Sequence, residues 1–151
     1  VAGILHDVCK DLPKGALLQN ILESGIINGI DFKASPQLIH GYAGALYIQT
    51  HLDIHDPDII DAVRYHTTAR AGMSLLETIV YLADLTSEDR EYADVEEMRR
   101  LCDHDLREAM ARALTHTVGE LVRKNKPICP DTRGACREYC VPIPTGDGGT
   151  Q

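Results

Sequence analysis

Tryptophan is absent from the 151 residues and phenylalanine occurs once. The core must therefore be largely aliphatic. No run approaches the roughly 20 apolar residues that a membrane span needs; the longest, Ile79 to Ala83, is far shorter. No succession of basic, apolar and small residues marks a secretory signal. Basic side chains are outnumbered, 15 against 23 acidic, and the net charge is −8. Such a chain lacks the basic footprint of a nucleic-acid polymer binder, while a small phosphate ligand stays compatible wherever a few cations line its site. Paired cysteines are missing too. Cys9, Cys102, Cys129, Cys136 and Cys140 are odd in number and widely spread, against a disulfide framework. Only Cys136 and Cys140 approach a zinc-knuckle spacing. All five read as reduced thiols of a cytoplasmic protein.

What is present suits one globular domain: 44% apolar and 25% charged residues at a length that can bury a core. The pattern is helical almost throughout, and no segment sustains period-2 alternation. Val1, Ile4, Leu5 and Val8 form one stripe, ended by Pro13 and Gly15. Ala16 to Glu23 predicts a second helix, and 26–35 a loop. Ser35-Pro36 and Asp56-Pro57 are start signals, the first for a helix running to about His51. Ser74 with Glu77 is a capping-box pair opening a helix from Leu75 to about Leu85. After a polar connection, Leu106, Met110, Ala113, Thr117 and Leu121 stripe a long helix to about Lys124, and 131–140 predicts a last short one. The expectation is an all-α single domain over 1–140 without internal repeats. A disordered tail is expected over 141–151.

Some polar residues sit in apolar surroundings: His6 and Asp7 beside Leu5 and Val8, His66 at the end of an apolar face, and Asp84 within Ile79 to Leu85. A carboxylate there pays a desolvation cost unless it is paired or binds a metal. His40 opens the helix that carries Gly41 and Gly44, small residues that permit close approach. Singly, each has a structural reading as a satisfied core histidine or a helix-terminal aspartate. Together, three imidazoles and two carboxylates on four predicted helices make a ligand set for Fe, Mn, Zn or Co, of the kind that helical bundles build from facing helices. His51, His55, His104 and His116 have no such context.

The His6-Asp7 pair resembles the signature of the HD-domain metal-dependent phosphohydrolases. Leu5 to Pro13, reading LHDVCKDLP, is similar to the start of the YqeK-like symmetrical bis(5′-nucleosyl)-tetraphosphatases. His40-Gly41, the block RYHTTARAGMS from Arg64 to Ser74, Ile79 to Asp84, Glu88-Asp89-Arg90 and Pro130-Asp131-Thr132 continue the match over roughly 2–138. The resemblance implies an HD-domain helical bundle with a two-metal site. The metal is iron first, with manganese or cobalt as alternatives. His6, Asp7, His40, His66 and Asp84 are the implied ligands, and Asp7 is the bridge. A further histidine of that family lies on a helix before the HD pair, ahead of Val1. The implied reaction cleaves diadenosine tetraphosphate at its centre to two ADP, with Asp7, Lys10 and Asp84 in catalytic roles. Lys10, Arg64, Arg70 and Arg90 suit phosphate. Thr67, Thr68 and Ser74 offer hydroxyls, Gly72 offers close backbone approach, and Asp11 is placed to orient Lys10 or a ligand. The expected partner is a dinucleoside polyphosphate or other nucleotide, with a homodimer left open. The alternatives are an HD hydrolase of another nucleotide, a non-catalytic metal or nucleotide sensor, and a metal-free helical interaction domain.

Overall fold

The structure, a computed structural model, describes residues 1–25 and 29–144. Helices are the only regular elements among them. They are α1 (Ala2–Leu5), α2 (Lys14–Glu23), α3 (Ile39–His51), α4 (Pro57–Tyr65), α5 (Leu75–Leu85), α6 (Val95–His104), α7 (Leu106–Arg123) and α8 (Pro130–Glu138). A 3-10 turn, Pro36–Leu38, leads into α3. The all-α expectation holds.

Local chemistry explains most boundaries. Asp56 caps α4 by accepting from the Asp58 amide, and Pro57 sits where a missing N–H costs nothing. Ser74 and Glu77 form both halves of a capping box on α5. Asp105 caps α7 through the amides of Arg107 and Glu108. Ser35 makes no side-chain cap, and the turn it precedes is 3-10. The first helix is shorter than expected. After Leu5 the chain proceeds by tight turns, with Val8 N bonding Leu5 O, Lys10 N bonding Asp7 O and Leu12 N bonding Cys9 O. Helix α6 falls in the stretch expected to be a polar connection. Its Val95 and Met98 are buried, and Leu101 and Cys102 pack against the same cluster.

Helix α3 packs on α2 and α4, α4 on α5, α5 on α7, and α7 on α6 and α8. Two main apolar clusters result. One joins Tyr81, Leu82, Met98, Met110, Leu114, Val118 and Cys136. The other joins Cys9, Leu17, Ile21, Phe32, Tyr42 and Tyr65. Between α3 and α4 the backbones nearly touch. A Cβ at Gly41 would stand 2.8 Å from the Arg64 carbonyl, and one at Gly44 3.2 Å from Val63 Cγ1. That contact brings the start of α3 against the end of α4, where His40 and His66 lie. The expected tail falls mostly outside the described residues, from 145 to 151; its first residue, Val141, is buried in the larger cluster.

Candidate metal centre

Four chain segments deliver five side chains to one point. His6 and Asp7 come from the turn after α1, His40 from the first turn of α3, His66 from the C-cap of α4, and Asp84 from the last turn of α5. Asp7 is central. Its Oδ1 lies 3.2 Å from His40 Nε2 and 3.5 Å from His66 Nε2, and its Oδ2 lies 3.4 Å from His6 Nε2. His6 Nε2 is in turn 3.9 Å from Asp84 Oδ1. His6, Asp7 and His66 each place a donor atom within 4.8 Å of the other two.

The three imidazoles are oriented by one device. His6 Nδ1 donates to the Gly3 carbonyl and His66 Nδ1 to the Val63 carbonyl, both at 2.7 Å, and the His40 ring bonds the Gln37 backbone. Each partner stands three residues upstream. A backbone carbonyl that takes the Nδ1 proton leaves the Nε2 lone pair facing inward, the usual outer-shell support of a metal-binding histidine. The Nε2 atoms of His40 and His66 meet at 3.0 Å. Two inward lone pairs at that distance repel unless a cation or proton lies between them. The donor set therefore fits a first-row transition metal, with imidazole nitrogens and carboxylate oxygens and no thiolate.

Burial favours the neutral, ligating state. Desolvation lowers the His66 pKa to about 4 and lowers that of His40. Partial burial alone would raise the Asp7 pKa. The Lys10 hydrogen bond and the charges of His6, Lys10 and His40 together outweigh it and hold the carboxyl below its usual range.

A cavity of about 430 Å³ lies over the cluster. His6, Asp7 and Asp84 line it, with the cations Lys10 and Arg90, the carboxylate of Asp89 and the apolar Leu76, Ile79, Val80 and Ala83. Lys10 Nζ reaches Asp7 Oδ2 at 2.6 Å, and Arg90 Nη2 reaches Asp84 Oδ1 at 2.9 Å.

The other expected phosphate-binding residues do not line this cavity. Arg70 is bidentate on the buried Glu77, at 2.7 and 2.6 Å, and reaches Asp61 at 3.4 Å. Ser74 caps α5 through the same Glu77. Gly72 has φ +69° and donates its N–H to Glu138. The Thr68 carbonyl accepts from Thr132. Arg64 lies 3.8 Å from Asp61, with its Nε buried and unbonded. Thr67 Oγ1 is likewise buried without a partner. Glu77, which binds both Arg70 and Ser74, was legible only as a capping residue; nothing in the spacing marked its ion pair.

Helix ends that converge three carbonyl-oriented imidazoles and two carboxylates form a candidate metal site of the kind that helical bundles build. The HD domain sequence profile matches residues 1–89. Two curated relatives are named symmetrical bis(5′-nucleosyl)-tetraphosphatase. The one from Bacillus subtilis is 37% identical and the one from Halalkalibacterium halodurans 38%, each over 87% of this chain and 70% of its own length. A crystal structure from Clostridium acetobutylicum, described as a predicted HD superfamily hydrolase involved in NAD metabolism, superimposes with a TM-score of 0.86 at 32% identity. It covers 92% of this chain and 74% of its own. The chain belongs to the HD domain family.

Proposed function

We propose that the chain hydrolyses diadenosine tetraphosphate at its central anhydride to two ADP. One observation carries the reading: three of the proposed ligands, His6, Asp7 and Asp84, line a cavity together with the cations Lys10 and Arg90. The names of the two relatives support the substrate. In the reaction, water adds to one of the two central phosphorus atoms. The bridging oxygen leaves with the other half, and the protons of the water are shared between the products.

His6, Asp7, His40, His66 and Asp84 would hold the metal, iron first, with manganese and cobalt compatible with the same donors. Asp7, whose two oxygens face different imidazoles, would be the ligand best placed to serve two ions. When bound, such ions polarise phosphoryl oxygens and lower the pKa of an attacking water. The remaining work falls to the chain. Lys10 is held protonated, since its hydrogen bond to Asp7 raises its pKa despite partial desolvation. It can exchange that carboxylate for a phosphate oxygen. Arg90, held on Asp84 through Nε and Nη2, keeps a permanent positive charge beside the site, and the apolar wall limits water around the reacting anhydride. In this reading Arg70 and Ser74 shape the loop behind the site rather than touch phosphate. Residues 1–140 act as one HD unit, and the reduced cysteines suit the cytoplasm.

The test is turnover with product identification, metal by metal, beside Asp7→Asn. ADP alone, lost in the variant, supports the reading. AMP with ATP, or binding without turnover, would replace it with a different nucleotide hydrolase or a sensor.

A further inference from the structure

A substrate with two equivalent halves, cut in the middle, needs both arms held about the cut. The cavity over the metal cluster is one place for an arm. A second groove, of about 370 Å³, adjoins it at Arg90, which lines both. Arg90 is fixed there by two hydrogen bonds to the last turn of α5, Nη2 to Asp84 Oδ1 at 2.9 Å and Nε to the Asp84 carbonyl at 3.1 Å. Gln37 also lines the groove, and its backbone bonds the ring of His40. Two residues that line the groove thus bond directly to candidate ligands, Arg90 to Asp84 and Gln37 to His40.

Its chemistry suits a nucleoside diphosphate. In a chain of net charge −8, its lining carries three cations, Arg90, Lys124 and Lys126, against one carboxylate, Glu120. Glu120 already engages Lys124 at 2.9 Å and Arg123 at 2.8 Å. Lys126 has no ion-pair partner among the described residues. Its backbone is not left to chance. Asn125 takes φ +50°, Lys126 N bonds the Leu121 carbonyl at 2.8 Å, and Asn125 N bonds the Val122 carbonyl at 3.0 Å. This is the Schellman ending of α7, which sets the chain direction at Lys126. Leu85 and Leu121 give the groove a hydrocarbon floor, and His116, packed on Tyr92 with ring centroids 4.1 Å apart, gives it an aromatic side. Gln37, Thr117 and Leu121 are shared with a small inner cavity of about 100 Å³ that Thr67 also lines. Thr67 Oγ1 is buried and has no hydrogen-bond partner.

We propose that the groove at Gln37, Arg90, His116, Lys124 and Lys126 is a second nucleotide subsite, holding the diphosphate half on the opposite side of the scissile bond from the cavity over the metal cluster. Arg90 is the shared residue, placed to contact phosphates of both halves. Lys124 and Lys126 bind the distal phosphates, and Leu121 and His116 border the nucleoside. The inference rests on the proposed dinucleotide reaction.

The test compares Lys124→Gln/Lys126→Gln with Arg100→Glu. Both changes alter net charge by the same amount, and Arg100 lies on α6, paired with Glu97 and outside every cavity described above. Two readouts are taken on metal-loaded protein: steady-state kinetics with diadenosine tetraphosphate, and the number of ADP molecules bound per chain by titration calorimetry. The double variant should raise KM about fivefold or more with kcat little changed, while Arg100→Glu moves neither. ADP binding should fall from about two per chain to about one in the double variant. Unchanged KM and stoichiometry would overturn the subsite, as would an effect shared by Arg100→Glu. Lysines that only complete the end of α7 would lower the melting temperature and leave KM alone, which also overturns it. If the wild type cleaves no diadenosine tetraphosphate, the dinucleotide reaction fails, and the ADP stoichiometry still decides whether the groove takes a nucleotide.

Discussion

His66 combines near-complete burial with an Nε2 that faces His40 Nε2 at 3.0 Å and Asp7 Oδ1 at 3.5 Å. Its neutral form is favoured in the fold, with a pKa of about 4 against 6.5 for a free imidazole. Between those values the unfolded chain binds the proton and the folded chain does not. Metal-free protein should thus be fully stable above pH 6.5 and lose stability as pH falls through about 4. The loss is on the order of 3 kcal/mol, and urea melts across that range would measure it. His66→Gln should flatten this dependence; an unchanged slope would place the titration elsewhere. Asp7→Asn removes the charge that three imidazoles face, and metal content by elemental analysis should fall by at least about tenfold. Arg70→Ala leaves the Glu77 carboxylate buried with only the Ser74 amide, and the chain should lose roughly 3 kcal/mol in denaturant melts. A raised KM without that loss would return Arg70 to phosphate binding. At this scale the side chains of the candidate site were legible, because His and Asp amid aliphatic neighbours need a reason to be there. The destination of each arginine was not, since a guanidinium suits a carboxylate as well as a phosphate.

The elements act by bringing their ends together. Gly41 allows the first turn of α3 to lie against the last turn of α4, and the Arg64 carbonyl it meets is backbone that cannot swing aside. Gly41→Ala should cost about 1–3 kcal/mol in thermal or denaturant melts. It should also weaken metal binding, because the new methyl comes within 3.5 Å of His66 Cε1. Normal stability and metal affinity would show that the helices can separate freely. The capping signals at Asp56 and Ser74 gave two helix starts directly, since their side chains satisfy amides near the start of the helix. Helix α6 escaped because its apolar residues are few and spread among five charged ones, though Val95, Met98, Leu101 and Cys102 do share a face. The early end of α1 escaped as well. Its stripe continues to Val8 in sequence, while the turn geometry at His6 and Asp7 is what lets adjacent residues address the same cluster.

Across the whole molecule, the proposed ligands come from the turn after α1, the start of α3, the C-cap of α4 and the end of α5, and so tie together segments that feed both apolar clusters. A bound metal should therefore stabilise the fold by mass action, by roughly 3 kcal/mol at a hundredfold excess over Kd. Chelation should lower the melting temperature accordingly, and re-addition of Fe(II) or Mn(II) should restore it. The all-α architecture was readable from periodicity alone, and the site from a handful of misplaced polar residues. The second groove was not readable, because Gln37, Arg90, His116 and Lys126 are far apart in sequence and share no pattern until α5 and α7 pack together. The most direct test of the central claim is anion-exchange analysis of the products from metal-loaded protein and diadenosine tetraphosphate. ADP as sole product, absent with Asp7→Asn, is the predicted result. AMP with ATP, or no turnover with any of Fe(II), Mn(II) and Co(II), would contradict it.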